Sequence, residues 1–377
     1  MVCIRAAREP AKLNGMEVPG LIHFFGWIVL CCVVPKPLAA QQDTFRIFLV
    51  GDAGEDKETG VTLQSLRHSL LASPNSAVIF LGDNSYRNSL GGIIPFGFKG
   101  FDSSTVTQKK VMSQLQILDD YKGSVFFVPG NHDWWNRKSF ARGSPKLRLE
   151  ESFIEANLGK NRNISNPGNV FFPKHGGPGP DDVELNQHSI RLILIDSYRL
   201  ILPGFKKDLP DTTLSEERFY HDLDSLLHDA TLKNQKILVV AHHPVHVRGP
   251  HAKPLKNYHL FSRIKASNSG FPSYKKMSLK VREILRKYPG TYYASGHVHG
   301  LYYALSEDYI HYIISGAGSK IHHVSQKDLE NQKSPGGYEF PMWNSKGYFE
   351  IDYIQGKENV FLYFDNGSQK CEVKPGA

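Results

Sequence analysis

The sequence predicts an α/β protein folded as a layered β-sandwich flanked by helices, in a single domain. Three observations predict it. From Thr44 onward, short runs of β-branched and aromatic residues recur, nearly unbroken by polar positions, as expected of strands buried on both faces. Helical stretches separate several of these runs. Strands also crowd toward the C-terminus, which suits a layered sandwich.

The strand runs are FRIFLV (45–50), AVIFL (77–81), SVFFV (124–128), IRLILI (190–195), KILVV (236–240), TYYAS (291–295), YIHYIIS (309–315), YFEIDYI (348–354) and NVFLYF (359–364). Helices are expected over 103–121, 145–158, 213–230 and 276–288. The stretch 213–230 opens on a capping box, Thr213-x-x-Glu216, and spaces Phe219, Leu223, Leu226 and Leu227 along one face. Gly- and Pro-rich stretches at 91–102, 166–180 and 203–211 read as surface loops. No repeat and no dividing linker is present.

At 377 residues, with 40% hydrophobic and 22% charged residues, the composition excludes a disordered, collagenous or polytopic membrane chain. The formal charge of +8 suits an anionic substrate and equally a solvated basic face. The basic residues are scattered and no nucleic-acid motif occurs, so no nucleic-acid partner is expected.

Near the N-terminus, the apolar run Leu21–Val34 follows Arg5, Arg8 and Lys12 and precedes PKPLAAQQ. This reads as an export signal, residues 1–40, cleaved after Ala39 or Ala40 to leave 41–377. The run falls short of the roughly 20 residues that span a bilayer, so no stable membrane span is expected. Removal takes Cys3, Cys31 and Cys32 and leaves Cys371 with no internal disulfide partner. The expected destinations are secretion, a lysosome or vacuole, or a bacterial periplasm. In a eukaryotic host Asn163-Ile-Ser165 and Asn366-Gly-Ser368 would be glycan acceptors.

The residues that end the strands carry the chemistry. Gly51-Asp52-Ala53-Gly54 follows the first run and Gly82-Asp83-Asn84-Ser85-Tyr86 the second. Pro129-Gly130-Asn131-His132-Asp133, Ala241-His242-His243-Pro244 and Gly296-His297-Val298-His299 follow later ones. Loops at the carboxyl ends of strands in an α/β sheet share one edge, where such folds bind ligands. Singly each motif is weak, since an Asp after a strand is usually a turn or cap residue. Their conjunction gives the donor set Asp52, Asp83, Tyr86, Asn131, His242, His297 and His299, mixing oxygen and nitrogen without thiolate. Such a set favours transition metals. With one bridging carboxylate it suits two neighbouring ions that clamp the entering and leaving oxygens at phosphorus.

The ordered set DAG, GDNSY, GNHD, VVAH and GHVH resembles the metallophosphoesterase superfamily, and within it the small, mammalian-type (tartrate-resistant-like) purple acid phosphatases. Tyr86 is the branch point: typical superfamily members have Asp-x-His in the first motif and no tyrosine in the second. The resemblance runs from about Thr44 through Ser315–Gly318 and the closing strands. It implies that Asp52, Tyr86 and His299 hold Fe(III), that Asn131, His242 and His297 hold a divalent Fe, Zn or Mn ion, and that Asp83 bridges them. It also implies that His132, and His251 nine residues after His242, act as catalytic acids. The expected activity is acid phosphatase: hydrolysis of phosphomonoesters, in acid, by in-line attack of a metal-bound hydroxide, by a monomer. Two other readings stay open: a superfamily phosphodiesterase or nucleotidase, and a non-catalytic, metal-stabilised anion-binding protein. His243 is assigned to packing, and His175, His188, His221, His228, His259, His311, His322 and His323 to structure or surface. The chain departs from the family in lacking a cysteine pair. Its loop at 197–214, with Lys206 and Lys207, lies where small family members carry a segment cut for activation.

Overall fold

The computed structural model describes residues 3–4, 44–56, 58–86, 105–134, 140–159, 163–202, 216–246, 270–321, 323, 338–342 and 344–373. In chain order, the elements begin with β1 (Cys3–Ile4), β2 (Phe45–Val50), α1 (Val61–Leu71), β3 (Ser76–Phe80) and α2 (Thr105–Leu115). Next come β4 (Ser124–Phe127), α3 (Asn131–Trp134), α4 (Phe140–Leu158), β5 (Asp181–Leu185), β6 (Ile190–Ile195), α5 (Ser197–Ile201) and α6 (Glu216–Leu232). The chain continues with β7 (Lys236–Ala241), α7 (Gly270–Leu285), β8 (Tyr292–Ser295), β9 (Leu301–Leu305) and β10 (His311–Ser315). It closes with β11 (Tyr338–Met342), β12 (Tyr348–Ile354), β13 (Lys357–Phe364) and β14 (Gln369–Val373).

The strands form two seven-stranded sheets, ordered β1-β14-β13-β12-β2-β3-β4 and β11-β9-β10-β8-β7-β6-β5. Each has a parallel heart, β2-β3-β4 in one and β6-β7-β8-β10 in the other, with antiparallel strands outside. The pleat explains why the runs are apolar throughout. Alternate residues Ile47, Leu49, Ile79 and Phe126 meet Leu192, Leu194, Leu238 and Val240 between the sheets. Their neighbours Phe48, Val50, Val78, Phe80, Val125 and Phe127 pack outward with residues of α1, α2 and α4. On the other sheet Ile193, Ile195, Ile237 and Val239 pack with residues of α6 and α7. Each of these fully buried aliphatic side chains contributes about 1.5–3 kcal/mol relative to exposure. The architecture is therefore helix, sheet, sheet, helix, the layered sandwich expected.

The nine expected strands are present within a residue or two at most ends. β5, β9, β11 and β14, and the helix α1, are additions. The 166–180 stretch is not simply a surface loop: Val170 and Phe171 are buried. Phe127 N–H donates to Val170 O at 2.7 Å and Phe172 N–H to Phe127 O at 2.8 Å, so this segment uses the open edge of β4. The stretches 91–102 and 203–211, and Thr213 of the capping box, lie outside the described residues. Of the expected export signal only Cys3–Ile4 is described, as a two-residue strand paired with β14. Among the described residues no helix is long and apolar enough to cross a membrane.

Candidate metal centre

Asp52, Asp83 and His297 each stand just past a strand with left-handed φ of 56°, 55° and 68°. Asp and His tolerate this region better than β-branched residues, and the reversal turns each side chain off the sheet and toward its edge. The turns interlock. Asp52 N–H donates to Gly82 O at 3.0 Å, Gly54 N–H to Asp83 O at 3.2 Å, and Tyr86 N–H to Gly54 O at 2.9 Å. A Cβ on Gly54 would stand 2.3 Å from the Asn84 carbonyl carbon, and one on Gly130 would stand 2.2 Å from Asp83 Oδ1. Both positions therefore need glycine for the close approach.

All seven expected donors meet. Asp52 Oδ1 accepts from the Tyr86 hydroxyl and lies 3.3 Å from His299 Nε2, which is 3.1 Å from Tyr86 Oη. Asp52 Oδ2 accepts His297 N–H at 2.7 Å. Across the centre, Asn131 Oδ1 lies 2.9 Å from His297 Nδ1 and 3.1 Å from His242 Nε2. His242 Nε2 is also 3.4 Å from Asp83 Oδ1. Asp52, Asp83 and His242 each offer a ligand atom, and these three atoms lie within 4.8 Å of one another.

The chemistry of the donors tests whether a cation fits. His242 Nδ1 is 2.8 Å from Leu81 O, an acceptor, so Nδ1 carries a proton and Nε2 is the nitrogen turned inward, able to offer a lone pair once its own proton is displaced. There it faces the Asn131 and Asp83 oxygens, both acceptors. Acceptors converging on one point at 3 Å require positive charge among them, and a metal ion fits. The protein's own groups show the same demand. Burial opposes charge on His242, yet Asp83 and Asp52 outweigh it and push its pKa up to about 9. Burial, and then the neighbouring His242, take His297 down to about 3. Burial also opposes the Asp83 carboxylate, but His242 and His132 hold it well below the usual range. Tyr86 is raised well above its ordinary value by burial and by Asp52 and Asp83.

His132 is the second residue of α3, on the wetter side. Its N–H donates to Asp83 Oδ1 at 2.8 Å, its Nε2 is 3.9 Å from Asp83 Oδ2, and its side chain is 34% exposed. The other expected acid, His251, lies outside the described residues, as do His259, His322, Lys206 and Lys207. His243 is buried, 4.3 Å ring to ring from His297, with Nδ1 2.9 Å from Ser197 Oγ. It packs behind His297. His311 is half-buried and stacks on Tyr292, whereas His175, His188 and His221 are exposed.

Several supporting residues were not singled out in the sequence. Asp133 accepts from the backbone N–H groups of Gly130, Ser85 and Asn84 at 2.7, 3.0 and 3.2 Å, joining the second and third loops. Burial and then Asp83 push it up to about 7. Buried Lys110 donates to Tyr86 O at 2.8 Å from α2. Ser319 Oγ donates to Asp52 O at 2.6 Å. Their signal is faint: Asp133 adjoins a motif and Ser319 follows SGAG, while Lys110 is marked only by its fold position.

The profile of the family described as Calcineurin-like phosphoesterase matches residues 45–301 of this chain. No curated protein matches it in sequence. Among solved structures, one described as "GAP50 the anchor in the inner membrane complex of Plasmodium" aligns with TM-score 0.54 at 15% identity, over 89% of this chain and 90% of that one. A dimetal phosphatase from Danio rerio aligns with TM-score 0.47 at 16% identity, over 88% of this chain and 99% of that one. At these identities the likeness concerns the fold alone.

Proposed function

The chain belongs to the calcineurin-like phosphoesterase family, and from that premise we propose that it is an acid phosphatase acting on phosphomonoesters with two metal ions. One observation carries the proposal: seven donors from five loops converge, and one of them is a phenol, Tyr86, bonded to Asp52 and 3.1 Å from His299. Phenolate is a hard anionic donor suited to a trivalent ion. Asp52, Tyr86 and His299 would hold Fe(III), Asn131, His242 and His297 would hold divalent Fe, Zn or Mn, and Asp83 would serve both. Such a pair supplies Lewis acidity toward a phosphoryl oxygen and acidifies bound water.

The chain's own residues do the rest. Asp52, Asp83 and His242 are buried, so water is excluded around the charges and their fields act undiluted. His132, at the exposed side with Nε2 3.9 Å from Asp83 Oδ2, would hold a proton at Nε2 for the leaving oxygen. His251 is proposed as a second acid. Export with loss of residues 1–40, and action as a monomer, belong to the same proposal.

Metal analysis and a visible spectrum of the purified protein, with rates on p-nitrophenyl phosphate and bis(p-nitrophenyl) phosphate from pH 4 to 9, test it. One iron and one further metal per chain are expected, with a colour lost in Tyr86→Phe and a monoester rate highest in acid. A colourless protein that prefers the diester near neutrality would overturn it in favour of a phosphodiesterase. Phosphate binding without turnover by the fully metallated protein would leave only an anion-binding role.

A further inference from the structure

The segment after β10, Ser315–Lys320 (SGAGSK), is sewn along the first loop. Gly51 N–H donates to Ser315 O at 2.7 Å, Gly318 N–H to Gly51 O at 3.0 Å and Ser319 N–H to Asp52 O at 3.1 Å. Glu55 N–H in turn donates to Ser319 Oγ at 3.1 Å. These bonds fix where the next residue starts. Lys320 Nζ lies 3.6 Å from the centre of the Tyr86 ring and 2.8 Å from Glu55 Oε2. Its side chain is 31% exposed, like that of His132 at 34%, whose ring centre is 4.6 Å from that of Tyr86. Tyr86 itself is 1% exposed. An ammonium and an imidazole, both reached by solvent, therefore border one buried phenol.

We propose that Lys320 is a specificity-determining residue that binds a second anionic group of the substrate, a carboxylate or further phosphoryl group carried beside the phosphate to be removed. The inference rests on the phosphatase reading. An ammonium has three donors; among the described residues Glu55 lies in one direction and the ring face in another, which leaves capacity for a ligand. A partly exposed ion pair adds little to stability, so bracing the loop is a weak reason to hold a lysine there. Glu55 acts as a resident anion that a substrate group would displace.

The test compares propyl phosphate with 3-phosphooxypropanoate, which differ by one carboxylate, on the metal-loaded full chain. The ratio of kcat/KM, carboxylated over plain, is expected to fall about tenfold in Lys320→Met, through KM, and to be kept in Lys320→Arg. Glu55→Gln is expected to raise the ratio severalfold. A ratio unmoved by Lys320→Met, in a variant that melts like the wild type, overturns the inference and makes Lys320 a brace. If the wild type turns over neither ester, the phosphatase reading fails separately. Calorimetric binding of propylphosphonate and 3-phosphonopropanoate then decides on Lys320: a carboxylate preference lost in Lys320→Met supports its role, and equal binding by both proteins overturns it.

Discussion

His242 and Asp133 do opposite jobs with the same resource, hydrogen bonds to the backbone. His242 commits Nδ1 to Leu81 O and so aims a lone pair into the centre. Asp133 commits both oxygens to N–H groups and so stays out of the centre while holding two of its loops together. Asp133→Asn removes one acceptor, and should cost about 10–100-fold in metal affinity or activity, read by calorimetry and steady-state rates. His132→Ala should lower kcat about 10²–10⁴-fold while metal content, measured by atomic absorption, stays that of the wild type. The meeting of the seven candidate donors was legible in the sequence because each lies in a loop that follows a buried strand. Ser319 and Lys320 were not, because their partners Asp52 and Glu55 are more than 260 positions away and no local pattern records that meeting.

At the scale of elements, the loops fit because two glycines let backbones touch. Gly54→Ala would force a Cβ into the Asn84 backbone. It should destabilise the fold by about 1–3 kcal/mol and weaken metal retention, both visible in melts with and without added metal. A melt unchanged in either condition would show that the loops have slack. The parallel strands were readable from their unbroken apolar runs. β5 was not: Asp181–Leu185 reads DDVEL, because an edge strand with one wet face carries charges that resemble a loop. α1 was not expected either, although Leu63, Leu66 and Leu70 are buried at helical spacing, because it opens after Gly60 with no side-chain cap to mark its start. The buried part of 166–180 was hidden by its turn-forming composition, although Val170 and Phe171 fill a place beside β4.

Over the whole molecule, acid favours one feature of the fold. On β12, burial and then the adjoining Glu350 push the Asp352 carboxyl up to about 7, against 3.8 in the ordinary case. Between those values the folded chain keeps a proton that the unfolded chain has lost. The resulting stability is complete below about pH 4 and fades as pH rises through about 7. Asp352→Asn should therefore melt higher relative to wild type at pH 8 than at pH 4.5, measured by thermal scans at both values. Equal displacement at both would mean that Arg46, 3.4 Å away, offsets the burial.

The candidate donors come from both sheets. Asp52, Asp83 and Asn131 follow β2, β3 and β4, and His242, His297 and His299 follow β7 and β8. Ions held among them would act as a clasp closing two leaves of a book at their open margin. Any parting of the leaves would loosen the grip, and any tightening of the grip would press the leaves together. Heat tolerance should then climb with free metal concentration, by about 2.7 kcal/mol when the metal stands at 100 times its Kd.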